Sequence, residues 1–399
     1  MSKQLTFLFI ANYVKGAAFL EECKTHGINT VVVSKAELKG ERWPDTIDEL
    51  FFVKSLDETD ELIRAISYLA RTREFDAVVP LDDYAVEVAA QMREHLRSPG
   101  MGVTTAHYFR DKLAMRMQAQ EAGLNVPEFV HVLNNQRMAD YMERVPGPWM
   151  IKPRSEAGSV QIKKCHTPEE VWEWVEQLGD RRSHFLMEAY VKGQVFHVDS
   201  VVFGDKVKYA APHRYWNPPF DVWNGGGIFQ SQSVADFDGV HDDLLKQNEA
   251  VIKAMGLPYG VTHAEFIQSE ADGKLYFLEL AARPGGAHID HLVRAQSGID
   301  LWQEWARVQI AQVQSKKYKL KVHKKTKHGG ILLCLSRQAE PDLGLFPDSE
   351  VFWKMGEDYH VGVVIRSDNY DRVTELMSEY QQRIEDDVLA VRPPTAKPA

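Results

Sequence analysis

Between Val261 and His291 the sequence VTHAEFIQSEADGKLYFLELAARPGGAHIDH commits the chain to an antiparallel pair of strands with an acid at matching positions in each. Runs rich in β-branched and aromatic residues flank Ala271-Asp272-Gly273, which suits a three-residue hairpin loop with Gly273 in the left-handed position. In that register Glu265 lies directly across from Glu279. Like charges facing each other across a ladder repel, so two inward-pointing glutamates call for a shared cation such as Mg²⁺. Taken alone, the hairpin is equally compatible with one glutamate turned to solvent or with a register shifted by one residue.

The residues that follow favour the shared cation. Arg283 keeps the parity of Glu279 and Ala281 and so projects to the same face, and Pro284-Gly285-Gly286 ends the strand in a turn that lets backbone approach a ligand. Two acids, an arginine and a glycine turn on one face suit phosphoryl transfer.

A chain of 399 residues exceeds one ordinary core and implies about two to four packed units. With 44% hydrophobic and 26% charged residues it has the composition of a soluble globular protein. A formal net charge of -10 argues against nucleic acid or an anionic membrane as the main partner. The lysine-rich run from Lys316 to Lys327 reads as a solvated face or a domain connection. Cys23, Cys165 and Cys334 lack metal-ligand spacing and fit free thiols in a reducing compartment. No cleavable leader and no long apolar span is evident, so a cytoplasmic setting is expected.

Along the chain, residues 5–10 (LTFLFI), 29–33 (NTVVV) and 76–81 (DAVVPL) read as buried strands separated by helical stretches at 15–26 and 58–73. That alternation predicts an α/β unit with a parallel sheet. No GxGxxG follows the first strand, which speaks against a redox dinucleotide site. A helix is predicted from Asp111 to Ala122, capped by Gly123 and followed by Pro127. Strands follow at WMIKP (149–153), VQIKKC and HFLMEAYV (184–191), with a helix from Pro168 to Leu178 and two strands across 195–211. The segment 212–230, with two tryptophans, three prolines and three consecutive glycines, is expected to be a long irregular loop, either functional, as a wall of the substrate pocket, or simply packed on its own aromatics or disordered.

Lys112, Lys152 and Glu188, taken singly, are more simply read as a helix-surface lysine, a paired lysine and an edge-strand acid. Their order and contexts nonetheless resemble the ATP-grasp superfamily, in its carboxylate–amine ligase branch with L-amino acid ligase and biotin-carboxylase-like members. DKLAMRMQAQEAGLNVP is similar to the segment in which a lysine meets nucleotide phosphates, which implies that role for Lys112. MIKPRSEAGSVQI resembles the strand and small-residue loop where Lys152 would reach phosphate and adenine while Ser155 to Ser159, including Gly158, closes over the phosphates. FLMEAYVKG resembles the hinge, where Glu188 and the backbone of Ala189 to Val191 would bind the adenine edge. His197 and Asp199 fall where relatives place ribose- or phosphate-facing groups. In many relatives the position of Ala281 is an asparagine that completes the metal's coordination, so the number of ions here is open.

The resemblance implies an α/β (α+β) ATP-grasp fold with four units. These are a Rossmann-like pre-ATP-grasp domain (1–110), a small lobe or lid (111–191), a large lobe with the metal site (192–310) and a C-terminal α/β module (311–399). It also implies ATP, with Mg²⁺, or Mn²⁺ in its place, held by Glu265 and Glu279. The activity it implies is an ATP-dependent ligase that makes an acyl phosphate and joins it to an amine, with Arg283 on the acyl phosphate. Small-molecule carboxylate and amine substrates and a homodimer are expected. Arg214, Tyr215, Gly226 and His288 are the candidate substrate contacts, with Arg214 as a fork for a carboxylate. Another ATP-grasp ligase or carboxylase, purine-biosynthetic or biotin-carboxylase-like, is the alternative, and an inactive ATP-binding regulator is a third reading.

Overall fold

The apolar run that opens the chain offers solvent no polar face, and it is buried on both sides. In the computed structural model, which describes residues 4–156, 158, 161–320 and 327–390, strands β1 (Thr6–Ala11), β2 (Asn29–Lys35), β3 (Glu49–Val53) and β4 (Ala77–Pro80) form a parallel sheet in the order β3-β2-β1-β4. Phe7 and Phe9 pack on one face with Phe19, Leu20 and Trp305; Leu8 and Ile10 pack on the other with Leu62, Ile66 and Ala89. The helices Ala17–Thr25 and Thr59–Leu69 supply these layers, as the alternation predicts. Strand β3 is an addition. Its residues ELFFV are all half-buried, as suits a sheet edge, and they lack the clean period that announces a strand.

A second sheet is antiparallel and small. It contains β5 (Phe129–His131), β6 (Trp149–Pro153), β7 (Lys163–Cys165) and β8 (Phe185–Ala189) in the order β5-β8-β6-β7. The helices Asn135–Arg144 and Pro168–Leu178 bury Met138, Tyr141, Val171 and Val175 against it. Thr167 caps the second helix by accepting from Glu170 N, and Pro168 fills the first turn, where a missing N–H costs nothing.

The third sheet holds β9 (Gly193–Phe203), β10 (Val207–Tyr215), β11 (Phe229–Ser233), β12 (Tyr259–Ser269), β13 (Leu275–Ala281), β14 (His328–Leu335), β15 (Val351–Glu357) and β16 (His360–Ser367). All its pairings are antiparallel, in the order β13-β12-β9-β10-β11-β14-β16-β15. The strands from the expected C-terminal module thus extend the large lobe's sheet through the β11–β14 pairing. One face buries Phe196, Val198, Phe266 and Phe277 against the helices Lys112–Glu121 and His241–Met255.

The segment 212–230 corrects the expectation of one long loop. Strand β10 runs to Tyr215, a helix spans Pro219–Gly225, and β11 resumes at Phe229. Pro219 stands in the first turn of that helix, and Gly226, at φ 72°, ends it. The prolines and glycines therefore punctuate regular structure here. Part of the Lys316–Lys327 run lies outside the described residues.

Candidate active site

The hairpin pairs the two glutamates as expected, but not through the expected three-residue loop: Ser269 N donates to the Lys274 carbonyl, so Glu270 to Gly273 form a four-residue turn. Gly273 adopts φ 69° and Glu265 pairs across from Glu279. One step further the register jumps, with Phe266 facing Phe277, so Leu278 is an extra residue in β13. This bulge explains why both Leu278 and Glu279 border one cleft, since bulges re-aim side chains beside functional sites. The cleft, about 720 Å³ and open to solvent, lies between the small sheet (Met150, Lys152, Pro153) and the large one (Val195, Glu265, Leu278, Glu279), with Lys112, Glu156 and Gly158 at its border.

Lys112 is the first residue of its helix, whose N-cap Asp111 accepts from Ala114 N at 2.9 Å. Its Nζ lies 2.9 Å from Glu279 Oε2 and donates to the carbonyl of Glu156 at 2.7 Å. Burial alone would raise the Glu279 carboxyl, yet the Lys112 ammonium outweighs it and holds the group down at about 2. One turn along the same helix face, the fully buried Arg116 donates through Nε to Glu188 Oε2 at 3.0 Å and also reaches the carbonyl of the bulge residue Leu278. Lys152 pairs with the other oxygen of Glu188. Burial depresses Lys152 despite Glu188, and against burial Arg116 and Lys152 keep Glu188 ionised below its ordinary range.

Beneath Glu265 lies a buried polar string that sequence reasoning only touched. Tyr215 donates to Glu265 Oε1 at 2.8 Å, and His263 Nε2 stands 3.6 Å from the same oxygen. His263 Nδ1 lies 3.0 Å from Asp199 Oδ1, while His197 Nδ1 lies 2.7 Å from Oδ2 and its Nε2 2.8 Å from Ser231 Oγ. Burial opposes the charge of His263, but Asp199 dominates and raises it to about 10. His213, stacked on His197 with ring centroids 4.7 Å apart, is lowered to about 3 by burial and by His197. Parity gave the signal: His263 precedes Glu265 by two residues, as His197 precedes Asp199, so each pair shares a strand face.

Several expected contacts fall elsewhere. Arg214 is a correction. Alternation along β10 puts it on the face opposite Tyr215, where it pairs with Asp238 at 2.6 Å and lies over Phe196. His197 has no exposed surface, so it does not face ribose or phosphate. The carboxylate of Glu188 is consumed by Arg116 and Lys152, and the N–H groups of Ala189 and Tyr190 are spent on Glu128 and Pro148 carbonyls. Gly226 ends a helix and does not border the cleft; Pro218, Pro219 and Phe220 do. The carbonyl of Ser155 accepts from Arg110, and Ser159 lies outside the described residues. His288 adopts φ 55° and, with His291, packs on Trp353 rather than in the cleft.

Arg283 forks onto Asp83, the residue position just beyond β4, with Nε donating at 2.6 Å, and its NH1 donates to the Pro284 carbonyl. Asp83, with Glu279 behind it, raises the guanidinium further despite burial. This contact joins the hairpin's end to the C-terminal edge of the parallel sheet, where strand order reverses and ligand crevices form in open α/β sheets. Asp83, Arg116 and His263 are the site residues the sequence reading missed.

Residues 20–100 match the family described as ATP-grasp N-terminal domain. The chain is 21% identical over 270 residues to an L-arginine-specific L-amino acid ligase of Bacillus subtilis, covering 66% of this chain and 64% of that protein. It is 26% identical over 215 residues to a D-alanine–D-alanine ligase of Chlorobaculum tepidum, covering 50% of this chain and 58% of that one. It thus spans under two thirds of the length of these curated relatives. Among solved structures, an L-amino acid ligase from Bacillus licheniformis superposes with TM-score 0.76 at 18% identity, covering 98% and 99% of the two chains. An ADP complex of N5-carboxyaminoimidazole ribonucleotide synthetase superposes with TM-score 0.71 at 15% identity, covering 95% and 98%. These likenesses show the fold.

Proposed function

We propose that this chain is an ATP-grasp protein and acts as an ATP-dependent carboxylate–amine ligase. The observation that carries the reading is the facing pair Glu265 and Glu279, set by a bulge into a cleft that Lys112 and Lys152 also border. An all-oxygen pair of carboxylates fits Mg²⁺, and Mn²⁺ in its place. When bound there, the ion would neutralise charge on the nucleotide phosphates. Lys112 and Lys152, whose ammonium groups now rest on Glu279 and Glu188, would hold those phosphates.

Carboxylates are poor electrophiles at neutral pH. Moving the γ-phosphoryl of ATP onto one breaks the bond to ADP and makes an acyl phosphate; an amine then attacks the carbonyl carbon, and phosphate leaves. Positioning and charge stabilisation suffice for this, and no protein nucleophile is needed. Arg283, held in orientation by Asp83, would stabilise the oxyanion and the phosphate. The reading includes small-molecule carboxylate and amine substrates, a cytoplasmic setting and a homodimer. Among the described residues no helix is long and apolar enough to cross a membrane.

The deciding experiment is phosphate release from ATP with pooled amino acids, followed by mass spectrometry of the products. Release that depends on an amino acid, with a new amide in the products, supports the ligase. Nucleotide binding without release under any carboxylate and amine tried would sink it and favour a regulator.

A further inference from the structure

We propose that Asp199 and His263 are positioning residues for Glu265, fixing one of its carboxylate oxygens so that the other is presented to the cation. The inference rests on the reading of Glu265 as a metal ligand and asks what holds that ligand in place. A glutamate at the rim of an open cleft has three rotatable bonds, and an ion bound through it must meet the entropy of freezing them unless the protein has done so already.

The structure supplies that restraint from four strands. Ser231 on β11 anchors His197 on β9, whose other nitrogen meets Asp199 Oδ2; the second oxygen of Asp199 takes Nδ1 of His263 on β12. An ionised carboxylate only accepts, so His263 Nδ1 must carry its proton, and the ring is thereby oriented with Nε2 toward Glu265 Oε1 at 3.6 Å. Tyr215 on β10 donates to that same oxygen. Two groups therefore converge on Oε1, an arrangement like the hydrogen-bonded carboxylates that orient metal ligands from behind.

The backbone is shaped to allow this. A Cβ placed on Gly285 would stand 2.9 Å from His263 Nδ1, the atom bonded to Asp199, and 3.0 Å from Ile289. The glycine turn after Arg283 thus packs directly on the string, so the string, the metal hairpin and the turn are one unit. Ala281, paired across from His263, adds only a methyl group at that position.

Direct Mn²⁺ binding, followed by electron paramagnetic resonance in the presence of a non-hydrolysable ATP analogue, tests the proposal without relying on turnover. Asp199→Asn should weaken Mn²⁺ about 10- to 100-fold, the usual cost of losing such a partner. Glu265→Gln should weaken it at least as much, and Asp199→Asn added to Glu265→Gln should cost nothing further, because both act through one carboxylate. A merely structural role for Asp199 would instead add its full effect in the double variant, and that result overturns the proposal. Parent-like Mn²⁺ affinity in Asp199→Asn beside a weakened Glu265→Gln also overturns it while leaving the metal reading intact. Unchanged affinity in Glu265→Gln would overturn the metal reading and this inference together. Should Asp199→Asn not fold, His263→Gln, which removes the ring between Asp199 and Glu265 and keeps a polar side chain, carries the same test against Glu265→Gln.

Discussion

Glu188 and Glu279 are both glutamates paired to a lysine at the cleft, yet their surroundings differ in a way that separates structure from chemistry. Glu188 has 3% of its side chain exposed and meets two cations, Arg116 on one oxygen and Lys152 on the other. Its charge is fully compensated inside the protein. Glu279 keeps 34% of its side chain exposed, has one lysine, and faces a second carboxylate across the ladder. Two acids with one ammonium between them leave negative charge toward the cleft, which is the condition a divalent cation relieves. The same residue type therefore reads as a lobe-joining tie in one place and as a ligand in the other.

Removing the charge at each position should break the molecule in different ways. Glu279→Gln takes away one charged metal ligand, so ATP-dependent phosphate release should fall by roughly three orders of magnitude or more. The fold should survive, since Glu279 is only half-buried and Lys112 keeps the Glu156 carbonyl as a partner. Turnover within a few-fold of the parent at saturating Mg²⁺ would erase the distinction.

Glu188→Gln should do the reverse. It strands Arg116, which is fully buried, and Lys152 without their counter-charge, and an uncompensated buried ion costs about 3–5 kcal/mol. Urea denaturation should show that loss, with Mn²⁺ affinity in whatever fraction stays folded close to the parent's. A stable Glu188→Gln protein with weakened metal would reverse the two assignments.

A third substitution sharpens where the chemistry ends. Arg283→Lys keeps a charge opposite Asp83 but loses the planar fork that can hold two oxygens. We expect kcat lower by about two orders of magnitude with nucleotide affinity little changed. Calorimetry of analogue binding beside steady-state phosphate release decides this. Lost binding with an intact kcat would place Arg283 in the nucleotide site.

Much of this contrast was legible in the sequence, and the reasons are local. The Glu265–Glu279 pairing is such a local signal, read from a short turn and a period of two, although the structure reaches it with a four-residue turn and a bulge at Leu278 whose one-residue shifts cancel. The helix from Pro168 to Leu178 likewise carries its own start, a threonine cap and a proline. Contacts set by tertiary packing were not legible. Arg283 reaches Asp83 across 200 positions, and Arg116 reaches Glu188 across 72. Arg214 shows the converse error: an arginine in an aromatic loop invites a substrate role until strand β10 is known to continue through Tyr215 and turn it to the other face. The bulge at Leu278 was hidden too, because a strand with an inserted residue still reads as a strand.

The effect confined to the narrowest range of conditions concerns the neutral end of the buried string, and it tests whether charge there is confined to Asp199 and His263. His213 is fully buried, and its folded value of about 3 lies below the ordinary histidine value of 6.5. The unfolded chain therefore binds the extra proton between those limits. Stability from a depressed group is present above the unfolded value and is lost as pH falls toward the folded one, so His213 should make the protein less stable from about pH 6.5 down to about 3. His213→Gln keeps a polar planar group beside His197 but cannot take up that proton. Its thermal midpoint should fall less steeply with acid than the parent's over that window, while the two curves run parallel above pH 7. Equal slopes in acid would mean that the His213 ring is protonated in the folded protein, and the separation between charged and neutral histidines along the string would fail.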